Sequence, residues 1–255
     1  NALIVLSDDD IAQRFSLLER LTEQLDAMGI RYSVFDGVQP NPIVENVMDG
    51  SEIARKNQCD FIIGLGGGSV MDCAKAISLL ATNDGNYWDY VEGTRIIEKP
   101  RIPVVTIPTT AGTGTEIAPF FVITNEEKNE KVGFPKPMRY NTWPVLSIID
   151  PALTATVPPE FTAYQGFDAF AHCVESFMSK KANAMSNMYS LACVEAVSGY
   201  LAAAVHNGGD LEARSRLSFA SVCSGVVMSV GSSTSKHSLE HAMSAYHNEL
   251  PHGAG

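Results

Sequence analysis

Apolar positions follow two rhythms along this chain, and the change from one to the other divides it. Residues 2–6 (ALIVL) form an unbroken apolar run of strand length. Such a run predicts a strand buried on both faces. Over 10–28, Ile11, Phe15, Leu18, Leu21 and Leu25 recur at helical spacing, and Gly29 ends the pattern. The pair then repeats: a strand over 32–35, a helix over 43–56 entered through Pro42, a strand over 61–65 (FIIGL), a helix over 69–80, and a strand over 103–107 (PVVTI). Strands separated by helices predict a parallel sheet covered on both faces. Segments 120–124 and 145–149 read as further strands, with a polar turn over 125–130. From Pro159 onward the strand signal is absent. Helical stretches rich in Ala and Met run over 160–180, 185–206, 210–229 and 235–246, and Asn207-Gly208-Gly209 separates two of them. The expected architecture is an α/β domain with a parallel sheet over 1–150, followed by an all-α domain over 151–255.

Composition narrows the function classes. The chain of 255 residues is 45% hydrophobic and 18% charged, as a globular protein with real cores should be. No apolar run reaches the roughly 18–20 residues that cross a bilayer, and the first ten residues lack the basic start and cleavage site of a signal peptide. Cys59, Cys73, Cys173, Cys193 and Cys223 are dispersed and form no Cys-x-x-Cys pair. They read as reduced core residues, so a cytoplasmic protein without a membrane partner is expected. A net charge of −11 disfavours nucleic acid as a partner. It leaves a dinucleotide open, because backbone amides and a helix dipole can hold one.

The loop in GLGGGSVMDCAKAISLL (64–80) is placed for that role. Gly66, Gly67 and Gly68 follow a buried strand and open a helix, and Ser69 can cap it. Without side chains the backbone can approach a pyrophosphate closely, at the positive end of the helix dipole. The pattern is neither G-x-G-x-x-G nor a Walker loop. A second loop, IPTTAGTGTE (107–116), offers Thr109, Thr110, Thr113 and Thr115 hydroxyls at the end of the next strand, where ligands of open α/β sheets bind.

Four of the six histidines, His237, His241, His247 and His252, fall near the end of the chain. In GFDAFAHCVE (166–175), Asp168 and His172 are four apart and share one helix face among apolar neighbours. His237 and His241 repeat the spacing, and His252 stands in a turn just beyond. Burying an unpaired Asp and His is costly. A cation would remove that cost, and one carboxylate with imidazoles suits Fe(II), Zn(II) or a similar ion. A capping Asp with unrelated, hydrogen-bonded histidines is the competing reading. His206 and His247 read as helix-end or surface residues.

Five segments together resemble the iron-containing alcohol dehydrogenases: DGVQPNP (36–42), GLGGGSVMDCAKAI (64–77), IPTTAGTGTE (107–116), GFDAFAHCVE (166–175) and HSLEHAMSAYHNELPHG (237–253). The resemblance implies a dinucleotide domain followed by a helical metal domain, the dehydroquinate synthase-like architecture. It implies metal ligation by Asp168, His172, His237 and His252, and a catalytic His241 beside the nicotinamide that relays a proton. It implies cofactor contacts from Gly67, Gly68, Ser69, Thr109, Thr110, Lys131 and Asn41, with Asp8 as the acidic residue favouring NAD over NADP. It also implies a small alcohol or aldehyde as substrate and a homo-oligomer, a dimer or larger. The chain departs from the family pattern by one extra residue before His252 and by a longer segment over 133–143. The family also continues with further helices, so the chain is expected to be a fragment. A glycerol dehydrogenase-like or dehydroquinate synthase-like metal enzyme is the nearest alternative. A non-catalytic nucleotide-binding protein is the alternative from another class.

Overall fold

The run ALIVL forms β1 (Ala2–Ser7), and all five of its apolar residues are fully buried. They are buried because β1 lies inside the sheet, pairing in parallel with β2 (Tyr32–Val38) on one side and β3 (Phe61–Gly66) on the other. The coordinates are a computed structural model describing residues 1–9, 11–135 and 141–255. Between β1 and β2 the expected single helix is two, α1 (Ile11–Arg14) and α2 (Leu17–Ala27). Ser16 takes a φ of 52° between them, a left-handed conformation that no helix can pass through. The predicted apolar stripe is correspondingly weak: Leu25 is buried, whereas Ile11 and Phe15 are exposed. The expected start at Asp10 lies outside the described residues.

Helix α3 (Val44–Lys56) follows β2, and α4 (Gly68–Leu80) follows β3. Most of α4 is buried, including Lys75, whose ammonium donates to the Phe120 carbonyl at 2.9 Å. Helix α5 (Tyr87–Glu92), not anticipated, starts at Asn86, whose side chain accepts from the Trp88 amide. Strand β4 (Val104–Pro108) follows. Next, β5 (Phe121–Asn125) and β6 (Glu130–Phe134) make an antiparallel pair of their own. The expected polar turn connects them, but β6 was not foreseen, since EKVGF has little apolar patterning. Of the strand expected over 145–149, only β7 (Leu146–Ser147) forms, parallel to β4. The main sheet has the order β2-β1-β3-β4-β7. The unusual length of the segment 133–143 falls partly outside the described residues.

Four helices follow: α6 (Pro159–Met178), α7 (Ala184–His206), α8 (Leu211–Val230) and α9 (Ser235–Tyr246). Their starts are set chemically. Pro159 opens α6, Asn183 and Ser186 form a reciprocal cap on α7, and Asp210 accepts from the Ala213 amide on α8. By length and composition α7 could cross a bilayer. Ser, Asn and Glu195 interrupt the segment, so it holds no long unbroken apolar run. In the structure Cys193, Ala196, Val197 and Ala204 of α7 are buried in one core with Ala169 and Cys173 of α6 and Leu217, Ala220, Cys223 and Val227 of α8. All five cysteines are free and buried. The parallel sheet with flanking helices, followed by an all-helical region, is the fold class expected.

The chain divides into two compact units. One comprises Asn1–Ile107 and Pro119–Ser147; the other comprises Pro108–Ala118 and Ile148–Gly255. The second unit therefore holds a strap, 108–118, drawn from the middle of the first unit's sequence.

Candidate metal centre and nucleotide-binding loop

In the α/β unit, β3 ends at Gly66, Gly67 is extended in the cap position, and α4 begins at Gly68. A Cβ on Gly66 would meet Val70 Cγ2 at 2.7 Å, so the tight turn itself requires glycine there. Gly67, in the cap position, has no side chain with which to satisfy the first amides of α4. Ser69 does not cap; its hydroxyl instead accepts from the Asn41 amide at 3.2 Å. Asn41 is buried with a left-handed φ of 54°, and its side-chain oxygen accepts from Lys131 Nζ at 3.0 Å. Asn41, Ser69 and Lys131, separated widely in sequence, are thereby linked at the start of α4. A cation and a helix N-terminus in one place suit an anionic ligand. Asp8 is exposed just beyond β1, where its amide donates to the Val38 carbonyl. Thr109 and Thr110 open the strap of the helical unit, Thr109 buried and Thr110 half-buried.

In the helical unit, Asp168 and His172 lie on α6, His237 and His241 on α9, and His252 in the short turn 252–254. One oxygen is the common point. Asp168 Oδ1 lies 3.3 Å from His237 Nε2, 3.4 Å from His172 Nδ1 and 3.6 Å from His252 Nε2. Ligand bonds of about 2.0–2.2 Å put neighbouring donor atoms of a tetrahedral site about 3.4 Å apart. The spacings thus match donors arranged around an ion. Asp168, His237 and His252 have donor atoms all within 4.8 Å of one another. His172 stands beside this group, its ring 4.0 Å from that of His237. Nδ1 of His172 is buried and makes no hydrogen bond among the described residues. An orphaned imidazole nitrogen facing a carboxylate is a cost that a cation would relieve. The residues fit a divalent metal.

The electrostatics agree. Burial raises the Asp168 pKa, but the imidazoles of His172, His252 and His237 outweigh it and hold the carboxyl well below its usual range. Burial lowers His172 to about 4, which keeps it neutral and able to ligate. His237 moves the other way: burial lowers it, but Asp168 and Glu175 together raise it above its ordinary value.

Two carboxylates stand behind the imidazoles, and sequence reading did not single them out. Glu175 accepts from Thr234 Oγ1 at 2.7 Å, from the Lys236 amide at 2.8 Å, and makes a short contact with His237 Nδ1. Glu240 Oε2 lies 2.6 Å from His252 Nδ1 and 3.9 Å from His241 Nε2. A signal was available: Glu175 is seven residues after Asp168 and Glu240 three after His237, so each shares a helix face with a proposed ligand. His241, Glu240 and His252 form a second group of donors within 4.8 Å. His241 has about a quarter of its side chain exposed, as His252 does.

The iron-containing alcohol dehydrogenase family matches residues 1–151, and the Fe-containing alcohol dehydrogenase family, C-terminal, matches 162–255. Alcohol dehydrogenase 4 of Schizosaccharomyces pombe is 39% identical, over 99% of this chain and 58% of its own length. The NAD-dependent methanol dehydrogenase of Bacillus methanolicus is 34% identical, over 99% of this chain and 64% of its own. Among solved structures, NADH-dependent butanol dehydrogenase A of Thermotoga maritima superposes with a TM-score of 0.89 at 29% identity, covering 99% of this chain and 63% of its own. The chain thus spans somewhat under two thirds of the length of these relatives.

Proposed function

From the premise that the chain belongs to the iron-containing alcohol dehydrogenase family, we propose that it serves a metal-dependent oxidoreductase moving hydride between NAD and an alcohol or aldehyde. The observation carrying this reading is the convergence of three histidines on Asp168 Oδ1 at 3.3–3.6 Å. Asp168, His172, His237 and His252 hold the ion, iron(II) or zinc(II) by the chemistry of the donor set. When bound, a divalent ion supplies Lewis-acid polarisation of the substrate oxygen.

The remaining roles belong to the protein's own groups. The Gly67–Gly68–Ser69 turn and the start of α4 receive the pyrophosphate on backbone amides, and Lys131, fixed by Asn41, offsets phosphate charge. The hydroxyls of Thr109 and Thr110 are further cofactor contacts. Asp8, exposed after β1, binds the ribose hydroxyls and favours NAD, in keeping with the NAD-dependent relative. His241 carries the substrate proton: its ring is 5.7 Å from that of His252 and partly open to water, so it can take a proton on one side and release it on the other.

The test combines metal analysis of the purified chain with cofactor reduction across simple alcohols. Wild type should carry about one divalent ion per site and reduce NAD. Asp168→Ala should lose both. Full turnover by a metal-free Asp168→Ala protein would refute the assignment.

A further inference from the structure

The imidazoles of His237 and His252 each touch carboxylates from both ring nitrogens, and the two sides are not equivalent. On His237, Nε2 faces Asp168 and Nδ1 faces Glu175. On His252, Nε2 faces Asp168 and Nδ1 lies 2.6 Å from Glu240 Oε2, a close pair without hydrogen-bond alignment. Both rings therefore point the same nitrogen at the common oxygen and the other nitrogen away from it. Glu175 and Glu240 are buried, 7% and 4% exposed. Neither is placed to ligate the same ion, since a whole ring lies between each carboxylate and Asp168.

We propose that Glu175 and Glu240 are positioning residues that favour the Nδ1–H tautomers of His237 and His252, Glu175 through a hydrogen bond and Glu240 through its charge 2.6 Å away, leaving both Nε2 lone pairs free for the cation. The proposal rests on the metal reading above and deepens it: the metal affinity of this chain is set by two carboxylates that never touch the metal. A neutral imidazole carries one N–H and one lone pair, and a carboxylate, which only accepts, selects the tautomer with N–H on its own side. It also raises the basicity of the opposite nitrogen, and removing such a partner costs 10- to 100-fold in affinity in comparable sites.

Glu175 has a second task, which the test must separate from the first. Its Oε1 accepts from Thr234 and from the Lys236 amide, so it docks the first turn of α9 on α6. A glutamine keeps an acceptor for that docking but removes the charge facing His237.

The experiment uses the full chain, stripped of metal, with zinc(II) titrated against a chelator of known affinity. Wild type, Glu175→Ala, Glu175→Gln and Glu240→Gln are compared, and each metal-free variant is melted. Affinity should fall about 10- to 100-fold in Glu175→Ala and about 10-fold in each glutamine variant, with each metal-free glutamine variant still unfolding in one cooperative transition. Nitrogen-15 histidine spectra of the zinc-loaded wild type should show protonated Nδ1 and ligating Nε2 at His237 and His252. If Glu175→Ala does not fold, the glutamine variants decide. Wild-type affinity in those variants, or ligation through Nδ1, overturns the proposal while leaving the metal centre in place. Failure of wild type itself to bind zinc(II) instead removes the functional reading, and this proposal with it.

Discussion

Ser221 tests whether the strap is held by one hydroxyl. The side chain is buried on α8 and works three ways: its oxygen accepts from the Gly112 amide at 3.0 Å and the Gly114 amide at 3.2 Å, and it donates to Glu116 Oε1 at 2.7 Å. Ser221→Ala leaves two buried amides without that acceptor and a buried carboxylate without that donor. Each unsatisfied group costs about 1–3 kcal/mol, and the hydrogen bond to a charge is worth about 1.5–3 kcal/mol. The hole left is a single oxygen, smaller than the space a water needs, so solvent does not restore the bonds. With partial relaxation, the expected loss is about 3 kcal/mol, near the upper end for point mutations. A matched control lies one turn away. Ser218 Oγ is buried with no hydrogen-bond partner among the described residues, so Ser218→Ala should change stability by no more than about 0.5 kcal/mol. Hydrogen exchange at the Gly112 and Gly114 amides, with urea unfolding of the full chain, reads both local and global effects. Equal losses in the two variants, or undiminished protection of both amides in Ser221→Ala, would show that the strap is held by something else.

Other consequences are sharper in direction than in size. Gly114 sits at a φ of +67°, and an added Cβ would come within 2.2 Å of the Gly225 amide nitrogen. Gly114→Ala should therefore cost about 2–4 kcal/mol, and an unshifted melting temperature would contradict the close approach. His241→Ala should keep the ion and slow turnover by about 10²- to 10⁴-fold; loss of metal on atomic analysis would instead make it a ligand. His237 has a raised pKa, so its share of metal-free stability is full below the unfolded-state value and fades as pH climbs through the folded one. Ligation requires that proton to leave, so zinc(II) affinity should climb over the same window with proton release in calorimetry; pH-independent affinity there would contradict it.

What the sequence made legible was whatever one helix or one strand carries alone. The buried strand ALIVL, the glycine turn before α4, and the i, i+4 pair of Asp168 and His172 each follow from local spacing. What it hid depends on partners. The break at Ser16 leaves the apolar period nearly intact, so counting Ile11, Phe15, Leu18, Leu21 and Leu25 sees one helix where the backbone makes two. The residues of β6 are held by pairing with β5 rather than by burial, and most of them are only half-buried. The strap is attached through Gln165, Ser221 and Ser224, the two serines more than a hundred residues downstream. Glu175 was overlooked because a glutamate after a run of apolar residues looks like a surface position. Its partners, Thr234, Lys236 and His237, come from the start of α9, far along the chain.

Charge balance gives the metal reading a footing independent of donor spacing. Asp168, Glu175 and Glu240 are all at least nine-tenths buried, and each is met by imidazoles: Asp168 by His172, His237 and His252, Glu175 by His237, and Glu240 by His241 and His252. Neutral histidines can donate hydrogen bonds to three carboxylates but cannot cancel their charge. Protonated histidines can, and Asp168 and Glu175 draw His237 that way, yet burial drives His172 towards its neutral form. A divalent cation meets both demands, adding positive charge at the oxygen where the rings converge while leaving every imidazole neutral. The same reasoning explains why two of the three carboxylates stand behind histidines. There Glu175 meets Nδ1 of His237 in a hydrogen bond and Glu240 lies 2.6 Å from Nδ1 of His252, so the negative charge that makes the pocket costly without metal is placed to strengthen the proposed hold on one.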